Sequence, residues 1–214
     1  MINSADASLI YESSAFMSEP FSGAFSFQAA GRTGALRMQA MGRKTCLILG
    51  GARSGKSSHG EKLARQAAGN LHYVATAEAL DAEMDARIAH HKAARGAGWQ
   101  THETPLDLLA CLEGLARSER PVVLVDCLTL WVTNLILRDM DIGGEGDRLA
   151  GFVADSPYPL FLVANEVGLG IVPDNALARK FRDEAGLLNQ KVAAAADEVV
   201  FMAAGLPMTM KPTS

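Results

Sequence analysis

Thr45-Cys46-Leu47-Ile48-Leu49-Gly50-Gly51-Ala52-Arg53-Ser54-Gly55-Lys56-Ser57 is the stretch on which the reading of this chain turns. A short apolar run ends in two glycines, and residues 56–68 then read as a helix. Gly50 to Ser57 fits GxxxxGK[ST] in full, in the strand-loop-helix setting that the motif's mechanism requires. Its glycines let the backbone curl, so that N–H groups along Gly50, Gly51, Ala52, Arg53, Ser54 and Gly55 point at phosphate oxygens. The helix that follows adds the partial positive charge of its N-terminus. Lys56 is placed to reach the β- and γ-phosphates, and the Ser57 hydroxyl to ligate Mg2+. The motif predicts a nucleoside triphosphate site.

Outward from this motif the alternation repeats. Apolar runs at 71–75, 122–125, 159–164 and 198–203 read as strands, the last of these being the last strand of the chain, and 99–103 fits a further short one. Helical patterns cover 81–94, 106–116, 129–137 and 175–196. Strands alternating with helices predict an α/β fold of the P-loop NTPase type, a mostly parallel sheet with helices on both faces, in one domain over 43–214. Ligands of such sheets sit beyond the carboxyl ends of the strands. Residues 1–42 are rich in Ser, Gly, Ala and Phe and follow neither the strand nor the helix period. They are expected to be a disordered extension, or to precede a true start at Met38 or Met41. Asp6, Glu12 and Glu19 argue against a secretory or mitochondrial leader.

Composition removes several function classes. Twenty Lys+Arg against 24 Asp+Glu give a net charge of −4 with no basic run, which argues against nucleic-acid binding. Cys46, Cys111 and Cys127 have no paired spacing, so neither a disulfide scaffold nor a cysteine zinc site is expected, which suits the cytoplasm. No stretch has the continuous apolar length of a transmembrane helix.

Two further features bear on chemistry. Val122-Val123-Leu124-Val125 runs into Asp126 where a strand should emerge, and Mg2+ prefers such hard oxygen ligands. Asp126 is therefore read as a metal ligand beside Ser57 or as the cap of the following helix, two roles that are compatible. All five histidines lie between 59 and 102. His91 continues the apolar stripe of Leu80, Met84 and Ile88, which reads as structural, whereas His90 lies roughly 200° around the helix from Ile88. Adjacent histidines point to different sides, so the pair does not form a zinc site by itself.

Four strings carry a resemblance: GGARSGKS, YVATAEALDAEMDARIAHHK, VLVDCLTLWVTNL and NEVGLGIVPDNALARKFRDEAGLLNQKVAAAADEV. Over residues 45–211 the chain resembles the bifunctional adenosylcobinamide kinase/adenosylcobinamide-phosphate guanylyltransferase family of cobalamin biosynthesis. The resemblance implies phosphorylation of adenosylcobinamide by ATP or GTP, then transfer of GMP from GTP by way of a phosphoramidate on His90. It places Val74, Ala75, Thr76, Glu103 and Asp126 at the guanine nucleotide. His91, Lys92 and Arg95, which follow the nucleophile, are read as phosphate contacts or as a solvated basic turn. Asn165 and Glu166 open a Gly-rich loop where the likeness is densest, and Arg179, Arg182 and Asn189 are assigned to the site or to a subunit contact. A homo-oligomer, with a trimer as the expected form, is also implied. Between Leu137 and Leu160 the chain is shorter than the family pattern, so the helix there is expected to be truncated.

The rival readings are a P-loop kinase of another small metabolite without guanylyl transfer, a GTPase switch, and the ATPase domain of a larger machine. A switch reads guanine with an NKxD loop, which the chain lacks; 141–144 and 183–186 fit DxxG without following a predicted strand. An ATPase machine calls for extra subdomains that one such domain leaves little room for.

Overall fold

The elements follow the alternation of the sequence. The computed structural model describes residues 44–78 and 98–212, so the extension 1–42 and the helix expected over 81–94 lie outside the described residues. In chain order the elements are β1 (Thr45–Gly50), α1 (Lys56–Gln66), β2 (Asn70–Ala75), β3 (Trp99–Glu103), α2 (Leu108–Leu115) and β4 (Pro121–Asp126). They continue with α3 (Leu128–Leu137), α4 (Ile142–Ala154), β5 (Leu160–Asn165), α5 (Ala176–Ala195), β6 (Glu198–Ala203) and β7 (Leu206–Lys211). The strands form one sheet in the order β3-β2-β4-β5-β1-β6-β7, parallel except for β7.

The strand residues sort to opposite faces by parity, as a two-residue repeat requires. Leu47, Leu49, Val123, Val125, Leu160 and Leu162 join one apolar cluster with α2, α3, α4 and α5. Cys46, Ile48, Val122, Leu124, Phe161 and Val163 join the other, with Ala64 of α1. Both faces are covered, which is why these strands read as unbroken apolar runs rather than alternating ones.

Two elements differ from the sequence reading, a helix expected only in truncated form and a strand that was missed. α4 holds four glycines in its 13 residues, which lowers its intrinsic helix propensity. Packing outweighs that loss: Ile142, Gly146, Leu149 and Val153 are buried on one side, and the Asp141 carboxylate accepts from the Gly144 N–H at 3.0 Å. The segment between Leu137 and Leu160 thus holds a regular helix of 13 residues. β7 was missed because it is exposed throughout most of its length and has a proline, so it shows no buried periodicity. It pairs antiparallel with β6 across Ala204-Gly205, both at positive φ (51° and 80°), which makes β7 rather than β6 the closing strand.

One buried titratable pair gives the fold a pH dependence. His72 on β2 is 2% exposed, and its Nδ1 lies 3.0 Å from Nε2 of His102 on β3. Its own Nε2 is buried without a partner. Burial first, and the facing His102 second, hold the His72 imidazole below its ordinary value of 6.5. Below that pH the unfolded chain takes up a proton that the folded chain resists, so stability falls as the pH drops. Urea melts at pH 7 and pH 5 should show a lower midpoint at pH 5, and His72→Phe should flatten the difference. An unchanged pH dependence in His72→Phe would assign the acid sensitivity elsewhere.

Candidate active site at the carboxyl edge of the sheet

The glycine-rich turn between β1 and α1 is held from three sides. Gly50 (φ +152°) lies so close to its neighbours that an added Cβ would sit 2.5 Å from the Met202 carbonyl oxygen and 2.7 Å from Ser54 Oγ. No other residue fits that approach. Its own carbonyl accepts from the Glu166 N–H at 3.0 Å, tying the loop to the end of β5. On the other side the Gly205 N–H of the β6–β7 turn donates to the Ser54 carbonyl at 3.0 Å. Gly55 precedes α1 with φ 94° and no side-chain cap, so the first N–H groups of α1 lack a side-chain acceptor. Such a helix start favours an anion.

Lys56 is buried, at 7% exposure, and its Nζ donates to the Gly51 carbonyl at 2.5 Å and to Ser54 Oγ at 3.4 Å. Burial pulls its ammonium below the ordinary lysine value, while Cys127 and Asp126 act in the opposite direction. Burial also pushes the Cys127 thiol up to about 12, so that group is neutral at pH 7. The charge opposing the desolvation of Lys56 is therefore the Asp126 carboxylate.

Register builds the second part of the site. Ala75 on β2 is level with Glu103 of β3 on one side and with Asp126 of β4 on the other. Two carboxylates thus flank one small residue across three adjacent strand ends. Asp126 does not cap α3, which begins on Cys127 without a side-chain cap. Instead its Oδ2 accepts from the Tyr73 hydroxyl at 3.1 Å, which turns the carboxylate and leaves Oδ1 for another partner. Val74 and Thr76 are fully buried, at 0% exposure, and Ala75 nearly so, at 7%. The Thr76 hydroxyl accepts from the Cys127 N–H (2.9 Å) and donates to the Cys127 carbonyl (2.7 Å). Residues 74–76 therefore shape a floor, and their side chains are not free to hydrogen-bond a ligand.

The end of β5 is fastened rather than open. The Thr129 hydroxyl accepts from the Asn165 N–H at 2.6 Å, and Asn189 of α5 donates to the Asn165 carbonyl at 3.3 Å. The Glu166 carboxylate accepts from the Gly168 N–H at 2.6 Å, an ordinary turn contact. Arg179 donates to the carbonyls of Pro173 and Asp174, and Arg182 pairs with Asp183 at 3.0 Å. These side chains organise the β5–α5 connection. Near it, α3 and α5 border an open cleft of about 360 Å³ lined by Ile136, Leu137, Leu177 and Phe181.

The structure brings Gly50 to Ser57, Val74, Ala75, Thr76, Glu103 and Asp126 to one edge of the sheet. His90, His91, Lys92 and Arg95 lie outside the described residues. The sequence reading missed Tyr73, Thr129 and Asn134. Tyr73 reads as an ordinary apolar strand residue, and its role needs the parity of β2 against β4. Thr129 and Asn134 stand in a helix whose pattern signals only burial.

The family model described as CobU, cobinamide kinase / cobinamide phosphate guanyltransferase, matches residues 46–210. The bifunctional adenosylcobalamin biosynthesis protein CobP of Pseudomonas aeruginosa is 49% identical over 167 residues, covering 77% of this chain and 96% of that protein. The bifunctional adenosylcobalamin biosynthesis protein CobU of Salmonella typhimurium is 43% identical, covering 77% of this chain and 98% of its own length. Its namesake in Escherichia coli K12 is 41% identical with the same coverage. With the matched span running from the phosphate loop through the row of strand ends to β7, this chain belongs to the cobinamide kinase / cobinamide phosphate guanyltransferase family.

Proposed function

We propose that this protein phosphorylates adenosylcobinamide with ATP or GTP and then transfers GMP from GTP to the product, giving adenosylcobinamide-GDP. The observation that carries the reading is an intact phosphate-binding loop beside the Glu103, Ala75, Asp126 row, within a chain 49% identical to a bifunctional relative. In the first reaction a hydroxyl of the acceptor attacks the γ-phosphorus; the new O–P bond forms as the bond to the nucleoside diphosphate breaks. Loop amides and Lys56 hold the triphosphate and stabilise charge on its oxygens, so catalysis there is mainly positioning. In the second, a ring nitrogen of His90 displaces pyrophosphate from the α-phosphorus of GTP. The phosphate of the first product then attacks the phosphoramidate, forming the diphosphate and releasing the histidine.

The donor set fits Mg2+. Ser57 and Asp126 offer hard oxygens, and the Tyr73 bond leaves Asp126 Oδ1 for a metal or a metal-bound water. When bound, the metal would screen the charge between the β- and γ-phosphates. Glu103 is read at the guanine, where a carboxylate suits the N–H edge of the base, with residues 74–76 as the floor beneath it. His91, Lys92 and Arg95 are read as phosphate contacts beside the nucleophile. The reading extends to one domain over 43–214, acting in a homo-oligomer. Against a GTPase switch, Asp141 to Gly144 is the start of α4 and Asp183 to Gly186 lies inside α5.

Turnover tests the proposal. The purified chain, given adenosylcobinamide and ATP, should yield adenosylcobinamide phosphate by mass, and on addition of GTP the GDP derivative with release of pyrophosphate. Phosphorylation that never proceeds to the GDP product would reduce the protein to a kinase.

A further inference from the structure

Beyond the ends of β2, β3 and β4 the strand ladder stops, yet the chain segments there must keep their spacing. Asn134 of α3 bridges them. Its side chain is buried, at 3% exposure, and both hydrogens of its amide are used: Nδ2 donates to the Thr76 carbonyl at 2.8 Å and to the Pro105 carbonyl at 2.9 Å. Thr76 follows the end of β2, and Pro105 stands two residues after Glu103. Thr76 is in turn bound through its hydroxyl to both backbone groups of Cys127, the residue after Asp126. Thr104 completes the arrangement, its N–H donating to the Ala75 carbonyl at 2.8 Å. The amide therefore ties together the two segments that carry Thr76 and Glu103, and the Thr76 hydroxyl joins the segment of Asp126 to them.

We infer that Asn134 is a positioning residue for the guanine nucleotide, acting by fixing the distance between the floor at 74–76 and the Glu103 carboxylate. The inference rests on the reading that these strand ends hold the guanine. A planar amide with two hydrogens suits two carbonyls at once, and no other residue of this size offers that. Asn134→Asp keeps the shape but turns both donors into acceptors facing carbonyls, which pushes the β2 and β3 ends apart. The phosphate loop is fastened by the pairing of Gly50 with Met202 and by the Glu166 and Gly205 N–H groups, and does not depend on this link.

Calorimetric titration of the full chain with GMP, together with the KM for ATP in adenosylcobinamide phosphorylation, tests the role. Asn134→Asp should weaken GMP binding by about tenfold or more while the KM for ATP stays within about twofold. Asn134→Gln keeps an amide on a longer arm and serves if the Asp variant does not fold; it should weaken GMP binding by about threefold or more, again without moving the KM for ATP. GMP affinity unchanged in the folded variants, or equal losses for GMP and ATP, would overturn the inference. Glu103→Gln separates the two levels of the argument. If it leaves GMP binding untouched, the strand ends are not the guanine site and both readings fall. If it weakens GMP binding while the Asn134 variants do not, only the role of Asn134 falls.

Discussion

Lys56→Met is expected to abolish phosphoryl transfer for practical purposes while leaving the fold intact. The two effects separate because the same burial acts on them with opposite sign. In the folded chain the Lys56 ammonium is 7% exposed, and burial holds its pKa below the ordinary value, so the charge is a net burden on folding. Methionine keeps the apolar stem and removes that burden; the stranded acceptors are the half-exposed Gly51 carbonyl and the buried Ser54 Oγ, a hydroxyl that can turn to another partner. The unfolding midpoint should therefore stay close to that of the parent. Catalysis loses more. Removal of one preorganised donor to developing charge costs about 10²–10³ in kcat, equivalent to about 2.7–4 kcal/mol, and Lys56 supplies a full charge rather than a dipole. A steady-state assay with ATP and adenosylcobinamide should show kcat down by at least about a hundredfold. Retention of activity within tenfold would remove Lys56 from the phosphate site, and a collapse of stability would contradict its unfavourable burial.

The fold was legible where the sequence carries local signals of its own. β1 and α1 are joined by a loop whose glycines and lysine have one structural solution, and the buried strands β4 and β5 announce themselves as apolar runs. The extent of α4 was illegible because its four glycines weaken the signal of a helix that exists by packing on α5, where Gly146 lets Leu188 approach to within 3.2 Å of the absent Cβ. β7 was illegible because nothing buries it. For the site the division is similar. Asp126 could be placed at a strand end from its four preceding apolar residues, but only the structure shows that it leaves α3 uncapped and takes the Tyr73 hydroxyl on its Oδ2. Spacing along the chain cannot show that Ala75 lies level with both Glu103 and Asp126, since β2 and β4 are joined by the long connection 76–120 and meet through sheet order. Asn134 carries no signal in its own segment, because both of its acceptors belong to other loops.

The guanylyl step turns on a residue of a different kind. His90→Ala is expected to eliminate the covalent intermediate and lower guanylyl transfer by about a thousandfold or more, with phosphorylation of adenosylcobinamide retained within about threefold. The asymmetry follows from the chemistry of the two steps. Phosphoryl transfer to a hydroxyl needs held phosphates and screened charge, which Lys56 and the loop supply. Guanylyl transfer in two stages needs a nucleophile that bonds to phosphorus and then leaves, and a neutral imidazole suits both stages because its ordinary pKa leaves it largely unprotonated at pH 7. A phosphorus–nitrogen bond also has its own signature, labile in acid and stable in alkali, opposite to that of an acyl phosphate on Asp126 or Glu103. The parent chain incubated with GTP labelled at the α-phosphorus should retain label after denaturation in alkali and lose it in acid; label should be absent from His90→Ala and present in His91→Ala. An adduct that maps to His91, or a His90→Ala variant that still makes adenosylcobinamide-GDP at the parental rate, would transfer the nucleophile's role away from His90. Loss of both activities together would show that His90 also serves the triphosphate, in which case the two half-reactions share one nucleotide position.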